Sequence, residues 1–297
     1  MWQELAQQIN KGGIKAVARA ISLVENAAPG YEMLLQQLNI LPAGIIGITG
    51  APGAGKSTIT DALTGEYIKA GKKVGILCVD PSSPFTMGAV LGDRVRMREW
   101  FNHPQVYIRS LASRGMLGGL SPAIIETADI LKAAGYNTII IETVGVGQSE
   151  VEIAGLADAT VVVMVPEGGD EVQAMKAGLM EIADIFAVNK ADRPGADTFV
   201  KNLHLALAPA LRKGQPEIPI LKTVALQKEG IAALYEKITA HIAGASSTLK
   251  KYRLLAERAY QLIQQKRMRD ISRQQLEQII KEESRDDFNL YNFIERF

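Results

Sequence analysis

The chain has 297 residues, of which 33 are basic and 32 acidic, so its net charge of +1 gives it no overall field that would draw it onto nucleic acid or a membrane surface. Its single cysteine excludes an internal disulfide, and its three histidines are too scattered to favour a metal cage. No run approaches the ~20 apolar residues of a membrane span, and the first residues lack the apolar core of a signal peptide. We therefore expect a cytoplasmic protein, or a protein of the mitochondrial matrix if this is a mature eukaryotic chain.

Residues 1–40 are predicted to form an N-terminal helical arm. An apolar face repeats at helical spacing before the Pro29–Gly30 pair breaks the pattern, and its members are Ile14, Val17, Ala18, Ile21 and Val24. From residue 43 onward, short apolar runs alternate with helical stretches, and strands are predicted at 43–49, 73–79, 105–110, 137–142, 160–165, 184–189 and 218–224. Such runs are typical of parallel strands that are covered on both faces, so the sequence predicts a doubly wound, mostly parallel α/β sheet.

The most specific motif follows the first predicted strand, where residues 50–57 read GAPGAGKS and fit G-x-x-x-x-G-K-[ST]. In this motif successive backbone N–H groups surround a β-phosphate, and the following helix directs the positive end of its dipole at the same anion. Lys56 is expected to reach the β- and γ-phosphates as a catalytic residue, and the Ser57 hydroxyl is expected to ligate Mg²⁺. The predicted nucleotide-binding residues of this loop are Gly50, Pro52, Gly53, Ala54, Gly55, Lys56, Ser57 and Thr58.

Two acidic residues further along the chain are candidate magnesium ligands. Asp80 ends the run KVGILCVD, at a strand terminus on the phosphate side of the predicted sheet. Asp93 lies in GAVLGDRVRM, a loop that could close over the metal. Either carboxylate could instead cap a helix or pair with a basic side chain, and we favour the metal role for both.

One segment contains both a further candidate for the metal site and a candidate residue that senses the γ-phosphate. Residues 137–150 read NTIIIETVGVGQSE, in which Glu142 ends an apolar run and Gly145 follows three positions later. This is the spacing of the D-x-x-G motif of guanine-nucleotide-binding proteins, with a carboxylate that is one methylene longer. Glu142 is expected to hold a Mg²⁺-bound water, and the Gly145 N–H is expected to touch the γ-phosphate. Gln148 either positions the attacking water or is a surface amide.

The identity of the base is indicated by residues 189–192, which read NKAD after a later apolar run. Asp192 can accept two hydrogen bonds from the N1–H and the exocyclic amine of guanine, whereas adenine offers no such pair of donors. Asn189 is expected to tie the loop together, and the stem of Lys190 is expected to lie over the base. The sequence therefore predicts a guanine nucleotide.

A second base-contacting loop is predicted after the next strand, at residues 223–226. The Ala225 N–H could meet the guanine O6 there, and Leu226 is included with it among the predicted nucleotide-binding residues. Many guanine-binding domains have Ser-Ala at this place, whereas this chain has Val224 before the alanine. The contact from the backbone N–H does not depend on that side chain, but the serine hydroxyl that would support the loop is absent.

The character of the chain shifts again after residues 243–247, which read AGASS. Apolar residues then repeat at spacings of three and four among many charges, and they are Tyr252, Leu255, Ala259 and Leu262. The run SRQQ, from Ser272 to Gln275, could cap a further helix. These helices either pack back on their own domain or form an arm for dimerisation or a partner. The predicted organisation is a helical arm at 1–40, a P-loop GTPase domain at 41–246 and a second helical arm at 247–297.

Several longer segments resemble a known family. They occur in the order VDPSSPFTMGAVLGDRVRM, SRGMLGGLS, IIETVGVGQSE, GDEVQAMKAGLMEIAD and VNKAD. Together they resemble the methylmalonyl-CoA mutase-associated GTPases, the MeaB, ArgK and MMAA family of SIMIBI-class P-loop GTPases. The resemblance covers roughly residues 10–290. It implies a homodimer in which a central GTPase domain carries helical arms at both ends.

The resemblance also implies a function. Members of this family act as chaperones for an adenosylcobalamin-dependent acyl-CoA mutase, gating the loading of the cofactor and protecting the mutase from inactivation. The cobalamin itself is then held by partner proteins. The segment GDEVQAMKAG is implied to be an additional switch that faces the partner, with Gln173 and Lys176 in it, and Lys176 becomes a candidate catalytic charge on the γ-phosphate side. The alternative reading of both residues is a polar helix face.

One segment departs from the family pattern, and several readings stay open. The hydroxyl-bearing positions that are common in the family before and after Gly-Asp have become Ala89 or Val90 and Val95, although Asp93 remains. The partner could therefore be methylmalonyl-, isobutyryl-, ethylmalonyl- or 2-hydroxyisobutyryl-CoA mutase. Rival functions are a GTPase of nickel-enzyme maturation, a transport-associated protein kinase, and a protein that binds GTP without hydrolysing it. Because the sequence places no arginine as a finger, we expect slow intrinsic hydrolysis of GTP that the mutase accelerates.

Overall fold

The computed structural model describes residues 1–80, 94–112, 120–143, 149–166, 181–208, 217–244, 248–268, 270–283 and 288–297. The chain divides into two compact units, Met1–Leu254 and Leu255–Phe297. Each unit is described by itself below. The division into arm, GTPase domain and arm that the sequence suggests stays a prediction.

A seven-stranded sheet organises the first unit. Its strands are β1 (Gly44–Gly50), β2 (Val74–Asp80), β3 (Val106–Ala112), β4 (Thr138–Glu142), β5 (Ala159–Met164), β6 (Ile185–Val188) and β7 (Ile220–Lys222). They lie in the order β3-β2-β4-β1-β5-β6-β7, and every pairing is parallel. Each strand lies within two residues of its predicted range, because strands covered on both faces are continuously apolar and their runs are easily recognised in the sequence.

The helices and short 3₁₀ segments connect the strands. The helices of the first unit are α1 (Trp2–Asn10), α2 (Ile14–Glu25), α3 (Tyr31–Leu35), α4 (Lys56–Lys69), α5 (Ile124–Ala133), α6 (Ser149–Leu156), α7 (Ala196–Leu207) and α8 (Ile231–Gly244). Helix α9 (Thr248–Arg267) begins in this unit and ends in the second, which also holds α10 (Arg273–Glu283) and α11 (Leu290–Ile294). The 3₁₀ segments are Arg94–Trp100 and Ala225–Gln227.

Helices cover both faces of the sheet, which confirms the predicted doubly wound architecture. On one face α4 and α8 pack together against a cluster that includes Ile48 and Ile76. On the other face α5 and α6 approach the strands so closely that a side chain at two strand glycines would force a helix side chain to move. A Cβ on Gly75 would lie 2.8 Å from Leu131 of α5, and a Cβ on Gly47 would lie 2.4 Å from Ile153 of α6.

The N-terminal helices pack on the same unit, and one detail of their predicted face is wrong. Val17, Ile21 and Val24 are buried as expected, but Ile14 is 53% exposed because the buried stripe of α2 turns toward α5 and takes in the small residues Ala16 and Ala20. Arg109 of the edge strand β3 pairs with Glu25 and donates to the Ser22 hydroxyl at 3.2 Å, which fastens α2 to the sheet.

The second unit shows the helix cap that the sequence predicts. The Gln275 N–H donates to Ser272 Oγ and the Ser272 N–H donates to Gln275 Oε1, both at 3.1 Å, which is a reciprocal capping box at the start of α10. The apolar residues of α9 that the sequence singled out include Tyr252 and Leu255, which are 63% and 47% exposed. Within the described ranges, no helix combines the length and the apolar character needed to cross a membrane.

Helix α5 carries a buried acid that the sequence analysis did not single out. Glu126 is 6% exposed, and its Oε2 atom has no hydrogen-bond partner among the described residues. Burial raises the pKa of this carboxyl to about 7, with a smaller contribution from the nearby carboxylate of Asp129. The folded protein therefore keeps Glu126 protonated over a pH range in which the unfolded chain releases the proton.

This protonation predicts a pH dependence of stability. Because the folded pKa lies above the unfolded value of 4.5, the contribution of Glu126 is fully present below pH 4.5 and is lost as the pH rises to about 7. We expect Glu126→Gln, which stays neutral, to remove a fall on the order of 2–3 kcal/mol in the free energy of unfolding between pH 5 and pH 8. Urea denaturation at both pH values tests this, with the exposed Glu4→Gln as control; equal pH slopes for both variants would contradict it.

Candidate nucleotide-binding site

The site lies at the carboxyl edge of the sheet, where the chain leaves β1, β4, β6 and β7. In a parallel sheet with helices on both faces, ligands bind at this edge, close to the point where the strand order reverses. Here the first strand of the sheet in sequence, β1, is central, with β4 on one side and β5 on the other. This arrangement therefore brings together, at one edge of the sheet, segments that are distant in sequence, namely residues 51–55, 143, 189–192 and 223–226.

The glycine-rich loop is shaped by backbone that other residues cannot adopt. Gly50 has a φ of +137°, and a Cβ there would lie 2.1 Å from the carbonyl oxygen of Val163 on β5. The loop then wraps around Lys56, whose ammonium donates to the carbonyls of Gly50 at 2.9 Å and Ala51 at 3.1 Å. Lys56 is 7% exposed and is the first residue of α4, so its charge stands at the positive end of that helix, beside the loop.

The predicted magnesium residues Ser57 and Glu142 meet in the structure. Ser57 Oγ donates to Glu142 Oε1 at 2.6 Å, and both side chains are buried, with Glu142 3% exposed. A hydroxyl and a carboxylate in contact, at the end of a strand and the start of a helix, provide hard oxygen donors of the kind that Mg²⁺ binds together with water and phosphate oxygens. The donor set therefore fits a magnesium ion.

Two threonine contacts in this region were missed by the sequence analysis. Thr60 Oγ1 donates to the other carboxylate oxygen, Glu142 Oε2, at 3.1 Å. Thr143, which directly follows Glu142, donates through Oγ1 to Thr49 Oγ1 at 2.9 Å and through its N–H to the Ile48 carbonyl at 3.0 Å. The two bonds of Thr143 hold the end of β4 against β1. Only the spacing of Thr60, three positions after Ser57 on the same helical face, could have drawn attention to it.

Asn189 joins the phosphate loop to both base loops. Its Nδ2 donates to the Ala54 carbonyl at 2.9 Å, and its Oδ1 accepts from Thr223 Oγ1 at 3.3 Å and from the Ala225 N–H at 3.1 Å. The side chain is 3% exposed, so these hydrogen bonds are shielded from water. The prediction that Asn189 ties the loop together is confirmed, and the connection extends over three segments of chain.

Contact between the loops also explains why residue 55 is a glycine. Its φ is +94°, and a Cβ there would lie 2.3 Å from Asn189 Nδ2. On the neighbouring side, Lys190 has a φ of +55° and its ammonium donates to the Gly53 carbonyl at 2.9 Å. The stem of Lys190 therefore runs from the base loop to the phosphate loop.

The residues expected to face the base lie at the outer end of this arrangement. Asp192 is exposed, two positions beyond Lys190. The Ala225 N–H, which the sequence assigned to guanine O6, is paired with Asn189 in this geometry. The next residue, Leu226, is 86% exposed, and its N–H donates to no backbone carbonyl among the described residues. Among the described residues, the N–H of this turn that lacks a backbone partner is therefore that of Leu226.

Several predicted residues cannot be placed. Gly145, Gln148, Asp93, Gln173 and Lys176 lie outside the described residues, as does the side chain of Asp80. Two further predicted nucleotide-binding residues are described: Pro52 in the phosphate loop is exposed, and Thr58 on α4 is half-buried.

The 3₁₀ segment Arg94–Trp100 is fastened to the helix that follows the phosphate loop. Trp100 Nε1 donates to Asp61 Oδ1 at 2.7 Å, and burial raises the pKa of that carboxyl. A cavity of about 620 Å³ lies beside Trp100 and is lined by Arg98, His103 and Tyr107 among others. Its lining includes the first residues of β3, and none of the described lining residues belongs to the phosphate or base loops.

The parallel sheet, the glycine-rich loop after its central strand and the buried Lys56–Ser57–Glu142 group together define a P-loop nucleotide-binding protein. The family model described as methylmalonyl Co-A mutase-associated GTPase MeaB matches residues 17–283. The chain belongs to this family, and it is a P-loop GTP hydrolase.

Three relatives carry names that agree with this assignment. A putative GTPase of Pyrococcus horikoshii is 49% identical over 243 residues, which are 80% of this chain and 77% of that protein. The GTPase ArgK of Escherichia coli is 38% identical over 245 residues, 79% of this chain and 74% of the relative. The mitochondrial methylmalonic aciduria type A homolog of Caenorhabditis elegans is 39% identical over 207 residues, 64% of this chain and 52% of the relative.

Two solved structures are similar in fold. A structure described as a LAO/AO transport system kinase has a TM-score of 0.67 and 28% identity, covering 95% of this chain and 87% of that one. HypB from Helicobacter pylori, solved in complex with nickel, has a TM-score of 0.53 at 16% identity, covering 77% of this chain and 98% of that one. The likeness to HypB concerns the fold alone.

Proposed function

We propose that this chain uses GTP hydrolysis to control an adenosylcobalamin-dependent acyl-CoA mutase, gating the loading of the cofactor and protecting the mutase from inactivation. The match to a family described as mutase-associated supports this proposal. The cobalamin would be bound by the partner and not by this chain. The chain would have to be in the same compartment as its mutase, and we propose the cytoplasm, or the mitochondrial matrix in a eukaryote.

The observation that carries the nucleotide half of the proposal is the position of Asn189. Because one buried amide bonds to the phosphate loop and to the second base loop, the base and the phosphates of one nucleotide would be read by a single connected unit. Asp192 would accept the two guanine donors. The N–H groups of Ala225 and Leu226 are the candidates for guanine O6, and Leu226 is supported by an N–H that donates to no backbone carbonyl among the described residues.

Magnesium is the natural partner of the buried oxygen donors. Ser57 would ligate the ion, and Glu142 would hold a water of its shell, with Asp80 and Asp93 as further proposed ligands. When bound, Mg²⁺ neutralises charge on the β- and γ-phosphate oxygens. The hydrogen bonds that both Glu142 oxygens accept from α4 support this role, because they restrain the orientation of the carboxylate.

Hydrolysis would proceed by in-line attack of water on the γ-phosphoryl group. Lys56 would move its donors from the loop carbonyls to the β- and γ-phosphate oxygens, and the loop N–H groups and the start of α4 would stabilise the same charge. The Gly145 N–H is the proposed γ-phosphate sensor, and Gln148 the proposed residue that orients the water. We expect slow turnover by the chain alone, because the groups that stabilise the transition state would be completed only in the complex with the partner.

The proposed partner contacts are the switch that holds Gln173 and Lys176, with Lys176 directed at the γ-phosphate in the complex. The active form would be a homodimer whose terminal helical arms, residues 1–40 and 247–297, flank the GTPase domain at 41–246. The exposed apolar residues of α9 support a role for the second arm in association.

The test is GTP hydrolysis by the purified protein with and without a candidate mutase, using ATP as the alternative substrate and Lys56→Ala to correct for contaminating hydrolases. We expect slow turnover of GTP alone that rises by about 10³–10⁵ with the right mutase, the range for a catalytic group supplied in trans.

Four results would revise the proposal. GTP turnover that no cobalamin-dependent mutase affects would leave the GTPase site standing and the partner assignment wrong. Transfer of phosphate to a protein acceptor would favour the protein-kinase alternative, and stimulation by a nickel enzyme's apo form would favour the maturation alternative. Hydrolysis of ATP as fast as GTP would overturn the role of Asp192.

A further inference from the structure

Thr60 occupies an unusual position for a residue inside a helix. It is fully buried in the second turn of α4, and its hydroxyl lies 3.1 Å from Glu142 Oε2 and 3.0 Å from the Lys56 carbonyl oxygen. Ser57, three residues earlier on the same face, donates to Glu142 Oε1. Two hydroxyls from one helix therefore hold the two oxygens of one buried carboxylate.

The next threonine of the helix shows what Thr60 would do without this carboxylate. Thr64 is equally buried, and its hydroxyl donates to the Thr60 carbonyl at 2.7 Å. This is the usual bond of a threonine in a helix, to the carbonyl four residues earlier. Thr60 has the corresponding bond to Lys56, but it is longer, and its single proton has the Glu142 carboxylate as a second acceptor. The hydroxyl of Thr60 is therefore shared between the helix and the site.

We propose that Thr60 is a positioning residue, which acts through Glu142 to aim its carboxylate at the magnesium-bound water during GTP hydrolysis. The inference rests on the proposed magnesium role of Glu142. A glutamate has one more rotatable bond than the aspartate of D-x-x-G, so its carboxylate needs an additional restraint to stay in one orientation. Ser57 must direct a lone pair to the metal, whereas Thr60 is free to hold Glu142 with or without the ion.

The test compares Thr60→Val with Thr64→Val. Both substitutions remove a buried hydroxyl and a bond to the helix backbone, but only the first removes a bond to Glu142. We expect Thr60→Val to raise the Mg²⁺ concentration for half-maximal GTP hydrolysis by about 5–20-fold, as suits the loss of a hydrogen bond to a charged group. Thr64→Val should leave it within about twofold of the wild-type value.

A binding measurement gives a readout that does not depend on turnover. The ratio of the GDP dissociation constants in EDTA and in saturating Mg²⁺ should shrink in Thr60→Val and not in Thr64→Val, while GDP affinity in EDTA stays alike in both. Thr60→Ser, which keeps a hydroxyl, should restore most of the wild-type magnesium dependence. If Thr60→Val is too unstable to purify, the comparison of Thr60→Ser with Thr60→Ala replaces it.

The outcomes separate this inference from the function on which it rests. Equal magnesium dependence in Thr60→Val and Thr64→Val, or no difference between the serine and alanine variants, would overturn the role of Thr60 while leaving GTP hydrolysis intact. A wild-type protein that bound GDP with no help from Mg²⁺ would overturn the magnesium role of Glu142 and the inference with it. A wild-type protein that did not bind guanine nucleotides would refute the proposed function itself.

Discussion

Asp192→Asn should convert the protein from a GTP-binding into an XTP-binding one. The carboxylate would accept the N1–H and the exocyclic amine of guanine; an amide in its place presents a donor to that amine and loses one acceptor. Xanthine carries a carbonyl where guanine carries the amine, so the new amide N–H would find an acceptor there. A site built around such hydrogen bonds rejects the mismatched partner strongly, and we expect GTP affinity to fall by about 10²–10⁴-fold, with a gain for XTP of similar order.

The measurement is competition of GDP, XDP and ADP for the wild-type and variant proteins. Asp192 is exposed, so the substitution should leave the melting temperature without nucleotide almost unchanged. Asp197→Asn is the matched control, since Asp197 is an exposed carboxylate five positions further on, and it pairs with Lys222 at 2.8 Å. Undiminished preference of Asp192→Asn for GDP would show that the base is recognised elsewhere.

The parts of the site that the sequence revealed are those in which one short segment carries the chemistry. The phosphate loop needs its glycines, Lys56 and Ser57 at fixed spacing, and the strand before it is a continuous apolar run, so motif and context could be recognised together. The strand bounds followed from the same apolar runs. Asn189 was recognisable because it opens the motif N-K-x-D directly after an apolar strand and downstream of the phosphate loop.

The parts that the sequence did not reveal are contacts between distant segments. Thr60 lies 82 positions from Glu142, and Thr49 lies 94 positions from Thr143, so each pair meets only because β4 is beside β1 in the sheet. The pairing of the Ala225 N–H depends likewise on the exact turn geometry after β7, which composition does not specify. The buried face of a helix is also set by distant segments: Ile14 is exposed because of the way α2 packs against its neighbours.

Gly55→Ala should disable the site more severely than Gly53→Ala, which adds the same methyl group two positions earlier in the phosphate loop. The added Cβ would lie 2.3 Å from Asn189 Nδ2, whose amide is buried and already bonded on both sides, so it has no room to turn. The bond from Asn189 to the Ala54 carbonyl would break, and the phosphate loop would separate from the base loops. We expect GDP and GTP affinity to fall by at least about 100-fold, as for the loss of a buried hydrogen-bond network.

Gly53→Ala supplies the comparison that isolates this contact. Gly53 has a φ of +79°, similar to the +94° of Gly55, but a Cβ there meets nothing within 4 Å. Both variants therefore carry the left-handed backbone penalty of about 1–2 kcal/mol, and only Gly55→Ala adds the clash, which should appear as the larger drop in melting temperature without nucleotide. Replacing Asn189 by alanine makes room for the new methyl, so in that background the added cost of Gly55→Ala should fall to that of Gly53→Ala. A cost that stayed the same with and without the Asn189 side chain would mean that the glycine is required by its backbone conformation alone and not by contact between the two loops.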